Sequence, residues 1–169
     1  MKMTDTRTIK ASAADVYAAL LNPEVLKACV PGATEVTGNP TDGFEASVTQ
    51  KVGPVKATFK GQVTLSDMVE NQSLTIDGQG KGGAAGFAKG GAKVTLADTS
   101  EGCDLSYDVE AKVGGKLAQL GSRIIDGFSK KMADQFFTNL QEHLEGPSES
   151  VVSDEPEKKG WLGRLTGKE

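Results

Sequence analysis

The chain has 169 residues, enough for one domain with a sizeable core followed by a tail. Its net charge of −4 excludes the general basic footprint of a nucleic-acid-binding protein. Cys29 and Cys103 lie far apart, which favours reduced thiols of a cytosolic protein over a disulfide framework. No apolar run approaches the roughly 18 residues of a membrane-spanning helix, so we expect any membrane contact to be peripheral.

The first elements are predicted to be a strand and two short helices. Residues 2–10 have a strand-like pattern of moderate quality. Ser12 then suits a helix N-cap, and Asp15 places an acidic side chain near the positive end of the helix dipole. Asn22 and Pro23 break this helix, and Pro23 fits the first turn of a second short helix over residues 24–28.

A run of strands and one long helix are predicted for the rest of the domain. Apolar and polar residues alternate over residues 44–51 and 55–66, and strand patterns recur near 74–80, 94–96 and 103–113. Short turns between these patterns predict an antiparallel meander. Residues 116–145 carry one apolar stripe with helical spacing, and Gly146 and Pro147 end it. The stripe consists of Leu117, Leu120, Ile124, Phe128, Met132, Phe136, Leu140 and Leu144.

Many residues on the predicted inner face of the sheet are small. They are Ala46, Ala57, Gly61, Gly78, Gly80, Ala92 and Ala111. A curved sheet of this kind under a long helix either leaves an apolar cavity or is filled by the helix phenylalanines and Met132. The pattern alone leaves both interpretations open.

No catalytic or metal-binding arrangement is evident. His143 is the one histidine, and it falls near the end of the long helix, without nucleophile or acid partners at a recognisable spacing. No Cys/His cluster has zinc spacing, and the strand carboxylates alternate outward. Residues 78–83 match G-x-G-x-x-G but lack the strand–turn–helix context of a dinucleotide site. For residues 78–91 we instead expect bulges, tight bends or a lip over the cavity, with Phe87 out of phase.

The C-terminal residues differ from the rest in composition. Residues 147–157 are rich in serine, acid and proline and are predicted to be a flexible linker. Residues 158–169 form a short basic amphipathic tail that suits an anionic membrane surface, although a frayed soluble tail or a partner-docking peptide fits as well. The candidate membrane-binding residues are Lys158, Lys159, Trp161, Leu162, Arg164 and Leu165.

The order strand, two helices, meander and long helix resembles the helix-grip fold of the START-like (SRPBCC) superfamily. Asn22-Pro23, Pro31-Gly32, Val52-Gly53-Pro54, the glycines at 80–84 and Phe136-Phe137 resemble the CoxG-like family of carbon monoxide dehydrogenase proteins. The most specific part is G-K-L-A-Q-L-G over residues 115–121. The resemblance implies an α+β helix-grip fold over residues 1–146, a curved antiparallel sheet wrapped around a long C-terminal helix with an apolar cavity.

The resemblance also implies a function. The family is associated with molybdenum hydroxylases of the aerobic carbon monoxide dehydrogenase type and with their attachment to the membrane. We therefore expect a non-enzymatic accessory protein that binds a prenyl quinone, menaquinone or ubiquinone, and recruits the enzyme to the membrane for electron transfer. We expect no covalent cofactor, no metal and no nucleic-acid partner, and a cytoplasmic location, peripheral on the inner face of the cell membrane.

Two other functions remain open at this stage. One is a membrane-recruitment or maturation adaptor without a ligand, and the other is a START-like enzyme that acts on a hydrophobic small molecule. For a quinone carrier, Tyr107 is the predicted hydrogen-bond donor, and Leu26 and Val30 with residues 82–87 are the predicted gate. The candidate ligand-binding residues are Leu26, Val30, Val48, Phe59, Gly61, Val63, Leu74, Ile76, Phe87, Tyr107, Leu120, Ile124 and Phe128.

Overall fold

The computed structural model describes residues 1–145. One curved antiparallel sheet of seven strands, in the order β1-β7-β6-β5-β4-β3-β2, packs against a C-terminal helix. This confirms the predicted α+β helix-grip fold. The elements are β1 Lys2–Ile9, α1 Ala13–Leu20, α2 Pro23–Cys29, β2 Ala33–Asn39, β3 Gly43–Val52, β4 Val55–Val69, β5 Ser73–Lys81, a 3₁₀ turn Gly83–Ala85, β6 Phe87–Thr99, β7 Gly102–Gly114, α3 Lys116–Gln119 and α4 Ser122–Glu145.

The two short helices begin where the capping residues predict. The Ser12 side chain accepts a hydrogen bond of 3.1 Å from the Asp15 backbone N–H. Asn22 accepts one of 2.9 Å from the Glu24 N–H, and Pro23 lies in the first turn of α2. Each cap satisfies an N–H group that has no partner within the helix, so local sequence sets both helix starts.

Strand β2 has no counterpart in the sequence prediction. It is an edge strand, mostly exposed, with a register shift between Ala33 and Glu35. Its alternation is weak because one face of an edge strand of this kind has little apolar area to bury. For the glycine-rich residues 78–91, the expected tight bend is confirmed at residues 82–86, whereas the expected bulges are wrong. Pairing between β5 and β6 is continuous from Ser73–Thr95 to Lys81–Phe87, and only the turn at 82–86 bends sharply.

The prediction of one helix over residues 116–145 is also wrong. The chain forms α3, stops at Leu120 and Gly121, and restarts as α4. Gly121 has a φ of +90°, a left-handed conformation that ends helices and that favours glycine. The Leu120 N–H closes the last turn of α3 on the Leu117 carbonyl at 3.1 Å. The apolar stripe continues across the break, so the spacing of the stripe alone does not reveal the break.

The main core lies between the sheet, α1, α2 and the C-terminal half of α4. Ile9, Val16, Leu105 and Leu140 are fully buried there. A smaller cluster of Val52, Leu117 and Ile125 lies under α3 and the start of α4. Over residues 1–145, no helix combines the length and the apolar composition needed to cross a membrane. The predicted linker and basic tail lie outside the described residues.

Candidate ligand-binding site

An apolar pocket of about 520 Å³ lies between the inner face of the sheet and the middle of α4. Strands β1 to β7 supply one wall, α4 supplies the opposite wall, and α1 and α2 with the residues after α2 close one side. A volume of this size lies within the ordinary range of small-molecule sites. The surface that lines this pocket consists almost entirely of carbon atoms. The polar side chains in its wall are Tyr107 and Ser129.

A second apolar pocket of about 240 Å³ adjoins the first, toward α3. The two pockets have Met1, Val48, Phe128, Ser129 and Met132 in common, so these side chains stand between them. The remaining wall residues of the second pocket are Gln50, Val52, Phe59, Ala88, Ala111, Val113, Leu117 and Ile125. The pair of pockets therefore follows the first half of α4.

The open space exists because small residues face one another across the strands. Ala46 pairs with Gly61, Gly61 with Gly80, and Gly80 with Ala88, so a row of residues with little or no side chain crosses four strands. Gly78 likewise pairs with Gly90. The helix side chains that could fill such a gap, Phe128, Met132 and Phe136, lie in the pocket wall instead.

The polar end of the larger pocket is built by Tyr107, Arg7 and Asp134. The Tyr107 ring stacks on Phe137 with centroids 5.2 Å apart, and Arg7 lies 5.0 Å above the Phe137 ring. Arg7 donates a hydrogen bond of 3.4 Å to the Tyr107 hydroxyl and pairs with Asp134. Burial lowers the pKa of Arg7, but its hydrogen bonds to Asp134 and Tyr107 outweigh this, so its pKa is raised and it stays charged.

This polar cluster lies between the apolar pocket and a more polar depression. A depression of about 400 Å³ between β1 and α4 lies outside it and includes Arg7, Lys130 and Asp134. Tyr107 lines both spaces, as do Met1 and Met3. A ligand in the apolar pocket would thus meet its first hydrogen-bonding group at Tyr107, on the side where β1 and α4 meet solvent.

The structure brings most of the predicted ligand-binding residues together. Leu26, Val30, Val48, Val63, Ile76, Tyr107 and Phe128 line the larger pocket. Phe59 lines the smaller pocket, as Val48 and Phe128 also do. Of the predicted gate, Leu26 and Val30 lie in the wall, whereas residues 82–87 line neither apolar pocket.

Five predicted residues lie elsewhere. Gly61 lines a polar depression on the outer face of the sheet, where its missing side chain exposes the backbone. Leu74 is buried in the main core. Phe87 is exposed on the outer face, over Gly114, while Leu120 and Ile124 lie against Gly53 at the β3–β4 turn.

Sequence reasoning missed other wall residues, notably Met1, Met3, Val36 and Ala133. The period-two pattern of β1 would have placed Met1 and Met3 on the inner face, and Val36 lies on the strand that was not predicted. Within residues 1–145, no three histidine, cysteine, aspartate or glutamate side chains form a group that could hold a metal ion. Cys29 and Cys103 are buried, and burial raises the pKa of both thiols.

Comparison with known proteins identifies the family of this chain. The family model for CoxG, one of the subunits of carbon monoxide dehydrogenase, matches residues 6–145. A comparison with curated proteins gives no match. A conserved protein from Geobacillus kaustophilus has a TM-score of 0.80 at 23% identity, over 86% of this chain and 95% of that one. A START superfamily protein from Mycobacterium smegmatis has a TM-score of 0.65 at 13% identity, over 87% of this chain and 99% of that one. At such identities these two structures show a shared fold alone.

Proposed function

The chain belongs to the CoxG family of carbon monoxide dehydrogenase proteins, and we propose that it carries a prenyl quinone in its apolar pocket. In this proposal it is a non-enzymatic accessory protein of a molybdenum-containing dehydrogenase of the carbon monoxide dehydrogenase type. It recruits that enzyme to the inner face of the cell membrane, where electrons pass to the quinone pool. The observation that carries the proposal is an apolar pocket of about 520 Å³ with Tyr107 and Ser129 as the polar side chains of its wall.

The pocket suits a long hydrocarbon ligand with one oxygen-bearing end. Each buried CH₂ contributes about 0.8 kcal/mol, so a prenyl tail supplies most of the affinity without specific contacts. The second pocket, of about 240 Å³, extends the apolar walls along α4 and offers room for more of a tail. A quinone is almost insoluble in water, so a carrier that shields it would link a soluble dehydrogenase to the membrane.

Tyr107 supports the orientation of such a ligand. Because its hydroxyl accepts a hydrogen bond from Arg7, its own proton is available for a ligand carbonyl oxygen. The charged Arg7 also polarises the hydroxyl, which strengthens that donation. The quinone head would therefore lie at Tyr107, and the prenyl tail would run along Phe128 toward the smaller pocket.

The wall composition favours a carrier over an enzyme. Within residues 1–145, Tyr107 is the only ionisable side chain that lines the larger pocket. General acid–base chemistry ordinarily needs a titratable group within hydrogen-bond reach of the reacting atom, with a pKa near the working pH. A phenol held by Arg7 fits a hydrogen-bond donor better than it fits such a catalyst.

Native mass spectrometry with organic extraction tests the ligand directly. We expect the protein from a quinone-containing host to carry a prenyl quinone at near one-to-one stoichiometry. An empty protein that still co-purifies with the dehydrogenase would overturn the carrier proposal and leave a recruitment or maturation adaptor. A bound molecule that is chemically converted on incubation would overturn the non-enzymatic assignment in favour of a START-like enzyme.

Two tyrosine variants test the orientation of the bound quinone. Tyr107→Phe removes the hydroxyl at the pocket, and we expect quinone affinity to fall about fivefold, the usual value of one hydrogen bond. Tyr17→Phe is the matched control, because Tyr17 is also buried but lies outside both apolar pockets. Equal affinities for the two variants in a fluorescence or calorimetric titration would show that Tyr107 does not hold the quinone head.

The membrane part of the proposal concerns the basic tail as well. Removal of the residues after Gly146 should leave the fold intact and weaken binding to anionic liposomes. Unchanged liposome binding by the shortened chain would exclude the tail as the anchor.

A further inference from the structure

Three pairs of lysines face each other directly across neighbouring strands on the outer face of the sheet. Lys51 pairs with Lys56, Lys60 with Lys81, and Lys89 with Lys112. All of these side chains are exposed. Like charges directly opposite each other destabilise a sheet. We call this set, which crosses strands β3 to β7 at the end nearest α3, the lysine band.

The rest of the outer face follows the opposite rule. Lys93 faces Asp108 across β6 and β7, and Lys2 lies 3.5 Å from Glu110. Thr49 and Thr58 share a hydrogen bond of 2.9 Å. Within residues 1–145, by contrast, no lysine of the band is in an ion pair. The sheet thus tolerates repulsion at one end that it avoids elsewhere, as expected where a binding function opposes stability.

Two exposed apolar side chains lie at the same end of the sheet, Phe87 on the outer face within the band and Ile124 on α4, which packs against the inner face. Phe87 is 48% exposed and directly faces Lys81, and Ile124 is 42% exposed and packs over Gly53 in the turn that joins Lys51 to Lys56. Lys116 and Arg123, on α3 and at the start of α4, are also exposed at this end. The smaller apolar pocket lies directly beneath, since Val52, Val113 and Leu117 form its walls.

The opposite end of the sheet is acidic. The meander places the β2–β3, β4–β5 and β6–β7 turns there, and these turns carry Asp42, Glu70 and Glu101. The net charge of −4 therefore conceals a polarised distribution. An anionic surface would turn the lysine band toward itself and the acidic turns away.

We propose that the lysine band, together with Phe87 and Ile124, is a docking face for a bilayer that contains acidic phospholipid. Five strands span about 19 Å, so the partner must present negative charge over a broad area. Phe87 within the band and Ile124 beside it call for a partner with a hydrocarbon layer beneath its charged layer, which a bilayer has and an acidic protein surface lacks. This contact is independent of the basic tail, and it places the smaller apolar pocket next to the lipid.

Charge reversal within the band tests the proposal in the full chain. Lys81→Glu with Lys112→Glu turns two like-charge pairs into opposite-charge pairs, with Lys60 and Lys89. The free energy of unfolding should therefore stay equal or rise, so any lost binding cannot come from unfolding. We expect partition onto quinone-free vesicles of phosphatidylcholine and phosphatidylglycerol to fall at least about tenfold.

Lys27→Glu with Lys131→Glu is the matched control, because both lysines are exposed but lie on helices outside the band. We expect this control to reduce partition less than about twofold. Equal losses in the two double variants, or no loss in either, would overturn the docking face. Normal vesicle binding with lost binding to the dehydrogenase would overturn it as well, and would assign the band to an acidic protein surface.

Fluorescent labels locate the contact. Cys29 and Cys103 are buried, so a thiol-reactive environment-sensitive dye should react at an added surface cysteine. With Phe87→Cys or Ile124→Cys, emission should shift to the blue on anionic vesicles, whereas Val69→Cys, at the acidic end, should not shift. A blue shift of the emission at residue 69 alone would refute the proposed face. Binding to the vesicles without a blue shift at any of the three residues would refute it as well. The mass-spectrometric search for bound quinone is unaffected by either result.

Discussion

Leu140 and Phe128 lie on the same apolar stripe of α4 but in different surroundings. Leu140 is fully buried in the main core, whereas Phe128 is half-buried and lines both apolar pockets. The helix offers large apolar side chains in both places. What differs is the sheet, which presents Leu96 and Cys103 to the filled region, whereas alanines at 46, 88, 92 and 111 interrupt the larger side chains that face the open one.

This contrast shows that the inner face of the sheet, rather than the helix, determines where the interior is tightly packed. A row of glycine and alanine leaves a gap that a helix side chain cannot close without moving the backbone. The filled region carries the stability of the domain, and the open region is free to take a ligand. Variants in matched pairs, one in each region, can break or sharpen this division.

The largest difference is expected from truncation on α4. Leu140→Ala should lower the free energy of unfolding by about 2–5 kcal/mol, because it leaves a cavity in a closed core. Phe128→Ala should cost less than Leu140→Ala, since Phe128 already borders open space. Urea denaturation of the ligand-free protein measures both. A Phe128→Ala cost as large as that of Leu140→Ala would mean that the pocket region is packed in solution.

Enlargement of a buried side chain should also destabilise the filled core more than the pocket region. Ala19→Leu, in the filled core, should cost about 1–3 kcal/mol through overpacking. Ala92→Leu, in the wall of the larger pocket, should cost less than about 1 kcal/mol and yet reduce quinone binding, since the added side chain fills ligand space. Thermal denaturation and quinone titration on the same samples separate the two effects. A pocket variant that binds quinone normally would place the ligand elsewhere.

The break between α3 and α4 is expected to give a smaller effect. Gly121→Ala should cost about 1 kcal/mol, because alanine is strained at a φ of +90° although no atom obstructs it. Gly127→Ala is the control within α4, where φ is helical and the space is equally open, and it should stabilise by about 0.5–1 kcal/mol. If both variants stabilise the protein, the two helices can join into one.

The smallest effect concerns the buried thiols of the filled core. Burial raises the pKa of Cys29 and Cys103 above the unfolded value of about 8.5. Their contribution to stability is therefore fully present below that value and is lost as pH rises through the folded pKa values. We expect the free energy of unfolding to decline as pH rises above about 8.5, and the decline to be weaker in a variant with both cysteines replaced by alanine. Identical slopes would exclude the thiols as its cause.

Local sequence was a good guide wherever a residue acts through its immediate neighbours. Ser12 caps α1 and Pro23 lies in the first turn of α2 as predicted, and the long alternation of β3 and β4 predicts two strands because period two has no helical counterpart. The prediction failed at β2, where an exposed edge strand lacks a pattern, and at Gly121, where a stripe continued through a break. It also placed Leu120 and Ile124 with the ligand, since a stripe shows which residues share a helix face but not what that face meets.

The sequence by itself determined the N-cap at Ser12, the start of α2, the inner face of the meander and the family resemblance, because each of these depends on residues a few positions apart. Only the tertiary structure decided which inner residues surround open space, that Tyr107 meets Arg7 and Asp134, and that lysines from five strands form one band. Those relations join residues far apart along the chain, through strand register and the crossing of α4 over the sheet. They depend on how the elements pack, which no local pattern encodes.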